Sequence, residues 1–523
     1  MTSSITSSHA ASLTTALAAV RGGDGAFAAS AMKNLLRDLG RDPSEQRALA
    51  EYALATAAIQ DGAVGQASRA AAACQAIGLA LDEPGWVAIG CATRAIAVLQ
   101  DNRPADAVED LVRAEYELRA SGRDGLRAWA HTQLGQAYER FGLFELAVPH
   151  YEGAIAIDER ILDIAGSRAL DARNLATVSY HWVKELDMLM DPDLDDEVEL
   201  RRAEVVRWAE RSLALASTEQ VEGAVFPLAR YLRAAAAWPS EPGRWIGELH
   251  VCRSNLNESA HPGFEMEATA LLAVAYVEVG EIAEAQREAR RALIRLEGVD
   301  DLNVQRYVRW ATLRVADAMG YPSAGAGLGY GRSIAWAWRQ QHQSDLEMMR
   351  AAIAGYERSR AHDAAVRAAR EDALTGLGNR RAFDEWIAEV AAARGEVSLI
   401  VVDVDRLKEL NDTYGHAAGD VALRAVADVI RSNVRSGDRS ARVGGDEFAV
   451  VLADADPVEA QLVMDRIQLG ARVVSLTAVP RASGIGLSMG LASSSEGFVT
   501  SDLYAVADAR MYEEKRRRAG AVA

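Results

Sequence analysis

The sequence predicts a multidomain protein: an all-α solenoid in the N-terminal part, then an α+β domain whose central, mostly antiparallel sheet is flanked by helices. Three observations carry this. The chain has 523 residues, more than one ordinary domain holds. Through residues ~40–320, apolar side chains recur at three- and four-residue spacings and proline is rare. After Glu371 glycine and β-branched residues rise, and strand-like runs alternate with helical ones.

Composition narrows the function. Half the residues are hydrophobic and a quarter charged, as in globular proteins. The formal net charge of −18 repels polyphosphate backbones, so no nucleic-acid partner is expected. Cys74, Cys91 and Cys252 show no metal-ligand spacing and read as reduced core thiols of a cytoplasmic protein. The opening MTSSITSSHAASLTTALAAV has no basic stretch before its apolar run, which argues against a secretory signal. No run of 18 or more apolar residues occurs, so no membrane span is expected.

The helical half carries a degenerate repeat. Leu134, Gly135, Tyr138, Ala147, Tyr151 and Ala154 fit one copy. Leu272, Tyr276, Ala285 and Ala292 fit a second, and Val98, Ala107, Leu111 and Ala114 a weaker third. A small residue at Gly135 lets one helix approach the next, and the two tyrosines fill the gap between them. The pattern resembles the tetratricopeptide repeat, although Glu159 stands where a closing proline is usual. A generic alanine-rich bundle is the alternative. The resemblance implies a sensor or interaction domain over residues 1–325 that binds a protein or peptide segment.

The segment Gly320–Gly331, GYPSAGAGLGYG, reads as a breaker. A long helix of mixed charge follows, giving a linker over 326–370. Its apolar residues Leu346, Met349, Ala352, Ile353 and Tyr356 suit a coiled-coil-like dimer stalk, or packing onto the chain's own helices.

The third region is 371–523. The pattern predicts a helix over 380–393, a strand over 397–404, a helix over 418–434, a hairpin over 439–453, a helix over 457–475, a strand over 484–493 and a helix over 501–516. The apolar run from Val397 ends in Asp403-Val404-Asp405. Alternation sends both carboxylates to one face, where they suit a hard divalent cation. The flanking runs around Gly444-Gly445 predict a type I′ hairpin, with positive φ at both glycines. Asp446 and Glu447 follow directly, and a hairpin beside the Asp403 strand gathers several acids at one place.

Together these motifs resemble the GGDEF domain of diguanylate cyclases. Asp372-Ala373-Leu374-Thr375 opens the match, and Gly444-Gly445-Asp446-Glu447-Phe448 is its signature. Asp403, Lys408, Asn411, Asp412, Gly415-His416, Gly419-Asp420, Ser488-Met489-Gly490 and Asp508 to Tyr512 with Lys515 complete it. The resemblance implies condensation of two GTP into cyclic di-GMP, with Mg2+ (or Mn2+) as cofactor and a homodimer as the active form. It implies that Asp403, Asp446 and the Val404 carbonyl hold metal, and that Glu447 acts at the reacting hydroxyl. Asn411 and Asp420 would read guanine, and Lys408 and Lys515 would bind the phosphates beside Gly444 and Gly445. Arg435 and Asp438 fit an inhibitory RxxD product site, with Arg466 as a secondary contact. His416 is expected to be a turn residue. Leu407 departs from the usual Phe, and the last strand is expected to be short or missing. Two other readings stay open: a catalytically weak module binding GTP or cyclic di-GMP, and a cyclase using ATP.

Overall fold

The computed structural model describes residues 25–520 apart from 159–166, 220–221, 259–261, 298, 300, 394–395, 475–483 and 500–501. The chain divides into two compact units, Met1–Glu357 and Arg358–Ala523.

The described part of the first unit is all-helical. Its helices are α1 (Gly25–Asp38), α2 (Glu45–Gln60), α3 (Val64–Ala80), α4 (Pro84–Gln100), α5 (Pro104–Ala120), α6 (Asp124–Phe141) and α7 (Phe144–Asp158). There follow α8 (Ser167–Leu189), α9 (Asp195–Glu219), α10 (Glu222–Ala237), α11 (Pro242–Glu258), α12 (Pro262–Glu278), α13 (Ile282–Arg295) and α14 (Leu302–Ala318), and then α15 (Pro322–Arg370), which runs across the unit boundary.

Local chemistry sets the helix ends. The Ser44 hydroxyl accepts from the Arg47 N–H, and Asp301 accepts from the N–H groups of Asn303 and Val304. Gly142, at φ +86°, turns the chain out of α6. Most helices pack on their sequence neighbours, and α4 on α6 and α12 on α14 also meet across one intervening helix. The predicted repeat positions Leu134, Tyr138, Ala147, Tyr151 and Ala154 are buried. A Cβ on Gly135 would lie 2.8 Å from the Tyr151 ring, so glycine there permits the close approach of α6 and α7.

One expectation needs correction. The glycine-rich run does not break the helical region. Gly320, at φ +75°, ends α14, and Pro322 starts α15, a helix of 49 residues that contains Gly325, Gly327, Gly329 and Gly331. Proline suits the first helical turn, and a Cβ on Gly327 would lie 2.7 Å from Leu313 Cδ2, so this glycine serves packing. Of the two readings of the α15 seam, the second holds for these residues, which pack onto the chain's own helices. Leu346 and Met349 are buried in the main helical core, and Ala352, Ile353 and Tyr356 pack against it. The Tyr356 ring meets Tyr116 edge-on at 5.6 Å, and Arg119 pairs with Glu357. Residues 361–370 are exposed.

The second unit is α+β. Its elements are α16 (Arg380–Ala393), β1 (Val397–Val404), α17 (Leu407–Tyr414), α18 (His416–Asn433), β2 (Arg439–Arg442), β3 (Glu447–Ala453), α19 (Pro457–Val473), β4 (Leu487–Ser493) and α20 (Leu503–Gly520). The four strands are antiparallel in the order β2-β3-β1-β4. Strand alternation divides the core in two. Ile400, Val402, Phe448 and Val450 face a cluster with Val426 of α18 and Ile467 of α19. Leu399, Val401, Ala449 and Val451 face Phe383 of α16 and Met511 of α20.

The eight-residue α17 was not expected. It is preceded by Arg406, whose φ of +59° turns the chain and whose side chain makes no cap. The three cysteines are free and buried, as expected, and burial pushes the Cys91 and Cys252 thiols up to about 12. Among the described residues no helix is long and apolar enough to cross a membrane.

Candidate active site

The site forms where β1 ends. The register sets Asp403 opposite Glu447 on β3 and opposite Ser488 on β4. The Val404 N–H donates to the Asp446 carbonyl at 3.0 Å, which ties the strand end to the signature loop. That loop closes through the Glu447 carbonyl, which accepts from the N–H groups of Val443 at 2.9 Å and Gly444 at 3.3 Å. Neither Gly444 nor Gly445 has positive φ, so the turn is not type I′. The closing pair leaves three residues between β2's extension and β3, and this longer loop removes the demand that a two-residue turn makes. A Cβ on Gly444 would lie 2.7 Å from Glu447 Oε2, so glycine there leaves room for the carboxylate.

A relay supports the loop. Arg442 Nη2 donates to the Gly445 carbonyl at 2.6 Å, while Nη1 contacts the Asp372 carboxylate at 3.3 and 3.4 Å. Asp372 accepts from the Thr375 N–H at 3.0 Å and hydroxyl at 2.7 Å. The opening motif thus holds the signature from behind.

Four carboxylates, Asp403, Asp405, Asp446 and Glu447, crowd the strand end, and the electrostatics record it. Burial pushes the Asp403 carboxyl up, and Asp446 and Asp405 push it further, against the pull of Lys515. Burial also raises Glu447, with Asp446, Asp508 and Asp403 adding to the shift. Lys515 Nζ, from α20, donates to both Asp403 oxygens at 2.7 and 2.8 Å. Burial works against its charge, but the bond to Asp403 holds the ammonium pKa up. Asp405 reaches the same helix: it lies 3.5 Å from Arg518 and accepts from the Ser488 hydroxyl at 2.6 Å. Both acids of the strand end therefore face α20, as alternation predicted.

This donor set fits a hard divalent cation. The oxygens are carboxylates whose mutual repulsion calls for a counterion, and an ammonium already stands in for one at Asp403. Among the described residues no three His, Cys, Asp or Glu side chains converge as a closed metal cage. An ion there would need further oxygens from water or phosphate, as is usual for Mg2+.

The predicted base-binding residues lie on successive helices. Asn411 lies within α17 and Asp420 in the first turns of α18. Asn411 Oδ1 is buried without a hydrogen-bond partner, and a Cβ on Gly419 would lie 2.0 Å from it. Gly419 therefore makes the space the amide occupies. Lys408 is exposed on α17, and His416 begins α18 after Gly415, at φ +84°.

Residues 369–520 match the family described as "Diguanylate cyclase, GGDEF domain". This segment is a GGDEF domain. It is 40% identical over 148 residues to the diguanylate cyclase DgcS of Shewanella oneidensis, covering 28% of this chain and 49% of that protein. It is 37% identical over 149 residues to the diguanylate cyclase VdcA of Vibrio cholerae, covering 28% and 43%. Each match spans less than half of the relative. Among solved structures, the coiled coil and GGDEF domain of DgcB from Caulobacter crescentus, in complex with c-di-GMP, is 30% identical. It covers 32% of this chain and 93% of that one, with a TM-score of 0.30.

A second cluster in the GGDEF domain surrounds Arg435, which follows α18. Its main-chain N–H and Nε donate to Asp438 at 3.1 and 3.2 Å, and Nη2 donates to the Ala453 carbonyl. The Arg435 side chain is 60% exposed. Arg466 of α19 donates to the Asn433 carbonyl at 3.1 Å and reaches the same helix end.

Sequence reasoning gave no role to Ser488, Arg442 or Asp508 beyond membership of motifs, and read Arg518 only as lying earlier than the family's usual arginine near Ala519. Arg518 stands three residues after Lys515 and so shares its helix face, a spacing that was available to read. Arg442 and Asp372 are seventy positions apart, and nothing local joins them.

Proposed function

We propose that the chain is a diguanylate cyclase that condenses two GTP into cyclic di-GMP and releases two pyrophosphates. One observation carries the reading: Asp403 is paired across the sheet with Glu447, while the Asp446 peptide is bonded to Val404. The names of the matched relatives support it.

Asn411 and Asp420 bind the guanine edge. A carboxylate accepts from the ring N–H and the exocyclic amine, a pair that adenine does not present. Lys408 and Lys515 hold the outer phosphates, and the glycines of the loop let phosphate approach the main chain. Asp403, Asp446 and the Val404 carbonyl would hold Mg2+ or Mn2+, which lowers the pKa of the attacking hydroxyl and offsets phosphate charge. Glu447, whose raised pKa suits proton transfer, takes the proton of the 3′-hydroxyl. Each step forms an O3′–Pα bond and breaks the bond from Pα to pyrophosphate.

Two nucleotides must face each other, so the working unit is a homodimer of two half-sites. Arg435, Asp438 and Arg466 form a product site that limits turnover. The helical unit is a tetratricopeptide-like solenoid that binds a protein or peptide segment and controls the cyclase. The buried repeat positions and the close Gly135–Tyr151 approach support this.

The test is pyrophosphate release from GTP and Mg2+, for the native chain and for Asp446→Ala. The variant should lose about a hundredfold or more in rate, in line with the loss of a preorganised charge partner. An unchanged rate would sink the assignment.

A further inference from the structure

A cavity of about 300 Å³ lies inside the helical unit, walled by the corner between α6 and α7 and by α8, α14 and the first half of α15. That volume is at the size of small-molecule sites. Phe144, Trp182 and Trp338 are among its walls. A guanidinium already stacks near each indole: Arg201 lies 3.8 Å from the Trp182 ring centroid and Arg306 lies 4.7 Å from that of Trp338. With cations over those rings, the remaining apolar surface suits a flat ring better than another cation.

Charge of both signs lines the cavity, and most of it is paired. Arg306 meets Glu185 through two hydrogen bonds of 2.9 and 3.0 Å. His342 Nε2 meets both oxygens of Glu145 at 2.8 and 3.0 Å. Arg339 and Glu197 differ. They stand 3.6 Å apart with no hydrogen bond between them, and each is about one-third exposed, at 29% and 31%. A cation and a carboxylate held so loosely, on a cavity wall, can each take a stronger partner from a ligand.

We propose that this cavity binds a small aromatic zwitterion, an α-amino acid with an aromatic side chain. Its ring lies against Trp338, Trp182 and Phe144. Its carboxylate pairs with Arg339 and its ammonium with Glu197. A ligand with only one of the two charges leaves one protein charge with its weak partner lost and not replaced. Trp338 and Arg339 both belong to α15, the helix that continues to Arg370. Occupancy therefore bears on the element that leads into the GGDEF domain.

The experiment is titration calorimetry of the full chain with L-tryptophan, tryptamine and indole-3-propionate. Saturable binding of L-tryptophan is expected, at least tenfold tighter than either singly charged analogue. Trp338→Ala and Arg339→Gln should each weaken it at least tenfold while helix content by circular dichroism stays unchanged. Trp338 is 48% exposed, so its truncation leaves the core filled. Absence of L-tryptophan binding, equal binding of the three compounds, or unchanged affinity in folded variants would each overturn the proposal. The readout is binding alone, so its failure is separate from any failure of the cyclase reading.

Discussion

Lys515 and Asp403, 112 positions apart in the chain, meet through two hydrogen bonds at the centre of the candidate site. The lysine occupies the carboxylate that the proposed mechanism gives to a metal ion. That mechanism requires an exchange, in which the ammonium moves from Asp403 to phosphate when ion and nucleotide bind. Lys515→Met should therefore enlarge the rise in thermal midpoint that Mg2+ alone produces, because the ion no longer competes with an ammonium. The same variant should turn over GTP at least tenfold more slowly. A Mg2+ shift equal to that of the native chain, by differential scanning fluorimetry, would contradict the exchange.

Glu447 is held against its own charge. Its folded pKa is raised by burial and by Asp446, Asp508 and Asp403, so the native state binds its proton more tightly than the unfolded chain. The sign follows from linkage: the ionised group costs stability as pH rises through the unfolded value, and fully so above the folded one. Glu447→Gln should raise the thermal midpoint at neutral pH and abolish turnover. Below about pH 4, near the ordinary carboxylate pKa, the two proteins should melt alike.

The orphaned Oδ1 of Asn411 is a group awaiting a partner. Gly419→Ala would drive a methyl into it and displace the amide from its proposed place at the guanine edge. The KM for GTP should rise about tenfold, the usual worth of one lost hydrogen bond to a buried polar group. Unchanged KM in a folded variant would remove Asn411 from the binding site.

Much of this arrangement was legible in the sequence, and the reasons are physical. The run from Val397 to Val402, apolar but for Ser398, reads as a buried strand, and period two then sets Asp403 and Asp405 on one face. Loops were read less well. Gly444-Gly445 looked like a two-residue turn, but the closing bond from Val443 to Glu447 makes a longer loop without positive φ. The glycine-rich run after Gly320 looked like a break, but close packing on Leu313 uses the missing side chain within a helix. The fate of the α15 seam was undecidable from spacing, because the same apolar stripe suits a partner chain or the chain's own core. The Arg442 relay and the Lys515 pair needed tertiary structure, since their partners are remote in sequence.

Arg435 holds Asp438 and the Ala453 carbonyl while more than half of its side chain stays exposed. Arg435→Ala should weaken cyclic di-GMP binding by about 1.5–3 kcal/mol, the range for a charge-assisted hydrogen bond. Product feedback should relax to match. Unchanged product affinity by calorimetry would refute the site.

His342 on α15 and Glu145 on α7 form a pair with a defined pH window. The bond to Glu145 raises His342, burial opposes it, and Glu185 adds to the rise. Burial raises Glu145, but the bond to His342, with Arg350 nearby, leaves it lowered. The histidine's contribution is full below its unfolded pKa and fades as pH climbs through the raised folded value; the glutamate's fades as pH falls through its lowered value. His342→Gln should flatten the loss of stability expected as pH rises above about 6.5, the ordinary histidine value. An identical pH profile in the variant would show that the pair adds nothing.

The central claim is that two GTP become cyclic di-GMP in a site built from Asp403, Asp446 and Glu447. Its most direct test is mass analysis of the products after the full chain is incubated with Mg2+ and either GTP or ATP. Cyclic di-GMP from GTP, no cyclic dinucleotide from ATP, and neither product from Asp446→Ala are the predicted results. A native chain that binds GTP yet forms no cyclic di-GMP would contradict the account.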